Sequence, residues 1–352
     1  MSISHVSLPS LAKDLGGPMA AEKLDAFLRT RFPEIEGDIG IARTSGGLSN
    51  PTFFMRGGGW RAVLRKQPGA VLVKSAHAID REFRVMSALL GSEVAVPRPI
   101  LFHATADILD TPFYLMEMLE GRIFTDYGIP GVSPQERSAC YDAMARTMAS
   151  VHRLDWQAAG LADYGRPGNF FARQFKRFSE QWPSYRFEGT EDVDQLIAWL
   201  APRMPQSETL ALAHGDMRMG NLMFHATEPR VIGVLDWELS TLGHPLADVG
   251  FNTQAWQLAP DENGGIRGLD FAALGIPSEE DYLESYYGYA DSPERLTVFH
   301  KAFAMFRAAV GSAGVAARGR AGNSVNDRQA EIGERFTRIY AARAIELIES
   351  NP

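Results

Sequence analysis

A chain of 352 residues exceeds the usual size of one hydrophobic core and predicts two lobes; at 45% hydrophobic, 22% charged and 10% aromatic residues it excludes disordered and fibrous classes. The 43 acidic side chains outnumber the 35 basic ones for a net charge of -8, which argues against nucleic acid or anionic lipid as a partner. Cys140 is the only cysteine, so neither an intrachain disulfide nor a Cys-rich zinc site can form, and no stretch approaches the roughly 18 apolar residues of a membrane span.

The N-terminal residues lack a charged and then apolar leader pattern, and the expected location is the cytoplasm. From Pro18 to Phe32 apolar residues recur at helical spacing. Short runs at 39–42, 52–56 and 60–66 follow, separated by Gly46-Gly47 and Gly57-Gly58-Gly59, and predict an antiparallel meander. A helical pattern spans 77–90, then 98–103 and 112–119 return to strand. After Gly121 the pattern turns helical. Ser133 is the expected N-cap of a helix to about Leu154, with Pro134 first and Glu136 closing a reciprocal capping box. Further helices are predicted at 169–182, 193–200, 245–257, 279–289, 295–315 and 327–348, interrupted by two strand signals, 222–224 and 231–235. The expected fold class is therefore α+β, with an N-terminal lobe at 1–119, including the first helix, and a helical lobe at 120–352.

The chemistry concentrates in His214-Gly215-Asp216-Met217-Arg218-Met219-Gly220-Asn221, followed by an apolar strand and Leu235-Asp236-Trp237-Glu238. Phosphoryl transfer needs a carboxylate to take the acceptor's proton and oxygen ligands to hold Mg²⁺ on the ATP phosphates. Asp216, Asn221 and Asp236 supply such a set; the competing explanation is that Asp216 and Asn221 are turn residues bonding their own backbone.

The order HGDxxxxN and then DWE resembles the aminoglycoside phosphotransferase and choline kinase superfamily, whose members share the protein-kinase fold. The resemblance implies two lobes, a small antiparallel sheet with one main helix and a larger, mostly helical one. It makes Asp216 the catalytic base and Asn221 and Asp236 Mg²⁺ ligands. It also places Gly47, Ser49 and Asn50 in a glycine-containing loop over the nucleotide phosphates, where a plain hairpin turn is the alternative. Arg65 resembles the third-strand cation that pairs with phosphates, Lys66 being its rival because only one of two neighbouring strand residues can face a given side. Glu82 then resembles the carboxylate that anchors the cation. Glu117 and Leu119 are expected to meet the adenine edge through main-chain atoms. Asp248 is expected to bond back to the catalytic loop, His214 to brace it, and Cys140 and His152 to be packing residues.

Gly47 to Thr52, Val63 to Lys66 and Ser75 to Glu82 look like the kinase domains fused to acyl-CoA dehydrogenases, and no dehydrogenase part is expected within these 352 residues. That likeness implies a hydroxyacyl-CoA or small hydroxy acid as acceptor and a link to acyl-CoA metabolism. An aminoglycoside or similar amino alcohol would instead need carboxylates such as Asp261, Glu262, Glu279, Glu280 and Asp281, and a CoA ester cations such as Arg173, Lys176, Arg177, Arg318 and Arg320. Two further readings are a catalytically silent nucleotide-binding module and metal-dependent hydrolysis through His214, Asp216 and Asp236.

Overall fold

The computed structural model describes residues 6–44, 50–68, 79–206, 209–320 and 328–351. It divides into two compact units: Met1–Gly121 with Ile232–Glu238, and Arg122–Val231 with Leu239–Pro352. The short segment 232–238 groups with the N-terminal unit although it lies late in the sequence. No helix among the described residues is long and apolar enough to cross a membrane.

The N-terminal unit contains β1 (Val6–Ser7), α1 (Ala12–Leu15), α2 (Pro18–Arg31), β2 (Gly40–Arg43), β3 (Thr52–Gly57), β4 (Trp60–Lys66), α3 (Ile79–Leu89), β5 (Pro99–His103) and β6 (Phe113–Met116). Its strands form one antiparallel sheet in the order β1-β2-β3-β4-β6-β5. The β3–β4 hairpin turns at Gly58-Gly59, where Gly58 has φ 55°, a left-handed value that glycine adopts without penalty. Successive strand residues face opposite sides, and the side chains sort accordingly. Phe53, Met55, Leu64, Phe113 and Leu115 pack with Leu24 and Leu28 of α2 in one core. Arg65 therefore lies on the face opposite Leu64 and Lys66.

The second unit contains β7 (Arg122–Ile123), α4 (Pro134–His152), α5 (Phe170–Tyr185), α6 (Glu191–Leu200), β8 (Ala211–Ala213) and β9 (Leu222–Phe224). After β10 (Val231–Val234), which carries the chain into the segment grouped with the first unit, come β11 (Thr241–Gly243), α7 (Pro245–Asn252), α8 (Gln254–Gln257), α9 (Phe271–Leu274), α10 (Glu279–Ala290), α11 (Val298–Arg320) and α12 (Arg328–Glu349). Buried Phe171, Trp182, Leu196, Phe303, Phe306, Val310, Tyr340 and Ala344 bring α5, α6, α11 and α12 together. Short antiparallel pairs, β7 with β9 and β8 with β11, fix the intervening loops.

The structure adds β1, β7, β8 and β11 to the strands expected from sequence. Each has three residues or fewer, too short for an alternating pattern to register. The helix expected over 245–257 breaks into α7 and α8 at Thr253. At Ser133 the expected cap is half realised: its Oγ accepts the Glu136 N–H at 3.2 Å, but the Glu136 carboxylate pairs with Arg122 at 2.7 Å instead of closing the box.

Candidate active site

In the N-terminal unit a guanidinium gathers three carboxylates. Arg65 on β4 lies 3.1 Å from Glu82 of α3, 2.7 Å from Asp236 and 3.5 Å from Glu238. Asn50 Nδ2 donates to the same Glu238 oxygen at 3.3 Å, while its Oδ1 is buried without a hydrogen-bond partner. Burial opposes the Arg65 charge, but Glu82, Tyr114 and Asp236 outweigh it and hold its pKa above the ordinary value. Burial likewise raises the Glu82 pKa, partly offset by Arg65. Asp236 has φ 65°, a left-handed conformation that Asp tolerates better than most residues and that re-aims the chain before Trp237. Trp237 is fully buried and donates its indole N–H to the Val234 carbonyl at 3.0 Å, anchoring that turn.

Lys66 points elsewhere. Its ammonium donates to the carbonyls of Leu15 and Leu109 at 2.9 and 3.1 Å, and burial lowers its pKa. Gly47 and Ser49 lie outside the described residues. On the segment after β6 the Glu117 N–H is taken by the Arg98 carbonyl at 2.8 Å, whereas among the described residues no backbone group pairs with the Glu117 carbonyl or the Leu119 N–H.

The helical unit presents Asp216 on a braced loop. Buried Asp248 accepts the N–H groups of His214 at 2.5 Å and Gly215 at 2.8 Å. His152 stands 3.3 Å from the same carboxylate and 2.8 Å from the Tyr286 hydroxyl. Burial would raise the Asp248 pKa, but the His152 hydrogen bond, the charges of His152 and His214, and the Gly215 N–H win and leave it lowered. Gly215 has φ 85°, and a Cβ there would lie 2.6 Å from the Leu239 carbonyl oxygen, so only glycine fits. The Asp216 N–H donates to His214 Nδ1 at 3.2 Å, and Asn252 Nδ2 holds the Met217 carbonyl at 3.0 Å. Asn221 Nδ2 then reaches both the Asp216 carbonyl, at 2.8 Å, and its Oδ2, at 2.7 Å. Arg218 lies 3.3 Å from Oδ2, and among the described residues Oδ1 has no partner.

The chain thus brings Asn50, Arg65, Glu82, Asp236 and Glu238 together in one unit and Asp216 with Asn221 in the other. His152, expected to be a packing residue, belongs to the polar chain behind Asp248; Asn252 and Tyr286 were not anticipated at all. The signal for Asn252 was a polar residue closing the mostly apolar α7, where it is fully buried.

Apart from Arg65, these side chains carry oxygens, the donor chemistry Mg²⁺ prefers. Three carboxylates against one guanidinium leave the Arg65 cluster with excess negative charge, which suits a divalent cation. Among the described residues no three His, Cys, Asp or Glu side chains form a group that could by itself hold a metal ion.

Residues 40–284 match the model of the phosphotransferase enzyme family. Acyl-CoA dehydrogenase family member 10 of Mus musculus is 38% identical over 291 residues, which is 82% of this chain and 27% of the mouse protein. Across the curated relatives it matches, the chain spans 27% to 40% of their length. A solved structure from Ralstonia eutropha, assigned to the aminoglycoside phosphotransferases, is 40% identical with a TM-score of 0.84, covering 94% of this chain and 98% of that one. Spectinomycin phosphotransferase, solved with ADP and spectinomycin, has a TM-score of 0.63 at 10% identity over 93% of this chain and 98% of its own, a likeness of fold alone. The chain belongs to the phosphotransferase enzyme family and has its kinase-like fold.

Proposed function

We propose that the protein transfers the γ-phosphate of ATP to a hydroxyl of a small molecule, with Asp216 as the base. The observation that carries this reading is the state of Asp216: Oδ2 is fixed by Asn221, while Oδ1 is unpartnered on a half-buried side chain. A base needs a free oxygen within hydrogen-bond reach of the proton it takes. The Asn221 amide nitrogen is engaged by Asp216, so its Oδ1 is what it offers a metal.

In the proposed step the acceptor oxygen bonds to the γ-phosphorus as the bond to the β–γ bridging oxygen breaks. ADP leaves, and the hydroxyl proton passes to Asp216 Oδ1. Mg²⁺, when bound, neutralises charge on the phosphates. Asp236 and Asn221 are its assigned ligands, Arg65 the assigned phosphate cation, and Glu82 the carboxylate that orients Arg65. Gly47, Ser49 and Asn50 are assigned to the phosphate loop, and the Glu117 carbonyl with the Leu119 N–H to the adenine edge.

The relatives named as acyl-CoA dehydrogenase family members support a hydroxyacyl-CoA or hydroxy acid as acceptor. Phosphorus NMR of Mg·ATP with hydroxylated acyl-CoAs, hydroxy acids and amino alcohols tests the reading. A phosphomonoester signal that disappears in Asp216→Asn supports it. ADP and phosphate alone, with every acceptor, would indicate hydrolysis; no ATP consumption would indicate a silent module.

A further inference from the structure

Helix α11 is apolar around Arg307: Phe303, Phe306, Ala309 and Val310 are each at most 1% exposed. Arg307 interrupts that run. Its Nε is buried without a hydrogen-bond partner, and among the described residues no carboxylate lies within ion-pair distance of its guanidinium. The guanidinium carbon stands 5.7 Å from the centre of the Phe178 ring, and that of Arg177, on α5, stands 5.2 Å from the same ring. Two cations flank one aromatic side chain.

A guanidinium stays charged at any pH a folded protein meets, and its planar fork matches the oxygens of a carboxylate or phosphate. Leaving one half-buried, with its Nε shielded from water and no ion-pair partner, is unfavourable unless something else supplies the anion. Burial lowers the Arg307 pKa, with Arg177 adding to the effect, against the fields of Asp248 and Asp216. In the structure α11 packs against α7, where a Cβ on Gly250 would lie 2.8 Å from the His300 carbonyl oxygen, and α7 carries the Asp248 that braces the Asp216 loop.

Several of the other charged residues considered for an acceptor are engaged. Glu279 pairs with Lys301 at 2.7 Å, Glu262 accepts from Arg343 at 2.9 Å, and Asp281 accepts the Ser278 hydroxyl at 2.7 Å. Among the cations, Arg173 donates to the Arg166 carbonyl at 2.6 Å and Arg320 to Glu334 at 2.6 Å.

Resting on the phosphotransferase reading, we propose that Arg307, together with Arg177, holds an anionic group of the acceptor, so that the hydroxyl presented to Asp216 belongs to an acidic molecule and not to a cationic amino alcohol. The shared chemistry is an oxyanion in a guanidinium fork, and its source is either the carboxylate of a free hydroxy acid or the phosphates of a CoA ester.

The test uses the full chain with 3-hydroxybutyrate, its CoA thioester, its neutral methyl ester and 1-amino-2-propanol, each measured by calorimetry and by phosphorus NMR with Mg·ATP. The wild type should bind an acid in preference to the ester and the amine. Arg307→Gln should weaken that binding by about 10–100-fold, the worth of a charged hydrogen bond, with the KM for ATP unchanged and Arg307→Lys recovering part of the loss. Binding of the free acid identifies a carboxylate as the anion; binding of the thioester alone identifies the CoA phosphates. Arg307→Gln should melt no lower than the wild type, because it removes a half-buried charge that lacks an ion-pair partner, whereas a structural arginine would cost stability when replaced. A preference for the amine, no binding of either acid, or acid binding indifferent to Arg307 would overturn the proposal. Arg307-dependent binding without phosphate transfer would leave the subsite standing and sink the phosphotransferase reading; transfer indifferent to Arg307 would do the reverse.

Discussion

In the N-terminal unit Asp236 is held by a cation, while in the helical unit Asp216 is held by a loop. Arg65 collects Glu82, Asp236 and Glu238 from segments more than a hundred residues apart, so charge itself assembles the cluster. Asp216 owes its place to hydrogen bonds along the backbone of residues 214–217, from Asp248, His214 and Asn252. A cluster built on charge depends on every member, because removing one leaves the others buried and uncompensated. A loop built on backbone bonds can present a carboxylate whose own oxygen remains free. The first arrangement suits groups that grip phosphates and metal, the second a group that must receive a proton.

The largest expected effect separates these roles. Asp216→Asn keeps the shape of the side chain and removes its basicity, so kcat should fall by roughly 10²–10⁴-fold with little change in the KM for ATP. Asp236→Asn should instead weaken Mg²⁺-dependent nucleotide binding, measured by calorimetry with and without the metal. Equal loss of ATP affinity in both variants would erase the distinction between a grip and a base.

Next in size is the cation. Arg65→Met strands Glu82 in a buried site and should cost about 3–5 kcal/mol in urea denaturation, together with a loss of ATP affinity. Lys66→Met should leave ATP affinity unchanged, because that ammonium serves two carbonyls on the opposite face. A variant of Lys66 that binds ATP poorly while Arg65→Met binds it normally would reverse the assignment.

The two units should also respond to acid in opposite senses. Asp248 has a lowered pKa in the folded state, so its stabilisation is present above about pH 4 and is lost as pH falls through that lowered value. Glu82 has a raised pKa, so the folded state binds a proton that the unfolded chain has released, and its contribution falls as pH rises from the ordinary carboxylate range through the raised value. Asp248→Ala should cost about 2–3 kcal/mol at pH 7, since the His214 and Gly215 N–H groups lose their acceptor, and should flatten the acid limb of the stability curve. An unchanged acid limb would mean that the loop is braced by something other than that carboxylate.

How much of this was legible in the sequence differs between the units for the same physical reason. The loop at 214–221 is contiguous, so its polar residues stood out as one motif, whereas the partnership of Arg65 with Glu82 followed from a resemblance and the one with Asp236 was not anticipated. Strand alternation left Arg65 and Lys66 as rivals; what separates them is the core against α2, which takes Leu64 and with it the face of Lys66. His152 read as a helix-packing residue because nothing in one helix announces a carboxylate nearly a hundred positions away. Arg307 was likewise invisible: an arginine in an apolar helix gains meaning only when its missing partner can be seen.

The smallest expected effect is the most discriminating for the idea that backbone bonds, and not charge, hold Asp216. Arg218 is the one cation within ion-pair distance of that carboxylate among the described residues, at 3.3 Å, and its side chain is 44% exposed. Exposed pairs of this kind are worth about 0–1 kcal/mol, because solvent screens them and two side chains must be ordered to make them. Arg218→Gln should therefore shift the urea midpoint only slightly, and added salt should change the wild type and the variant alike. Asn221→Ala should cost more than Arg218→Gln, since it strips two hydrogen bonds from Asp216 in a nearly buried setting. If the order is reversed, with Arg218→Gln the more damaging and its effect removed by salt, then Asp216 is positioned by charge after all, and the two units would share one way of holding a carboxylate.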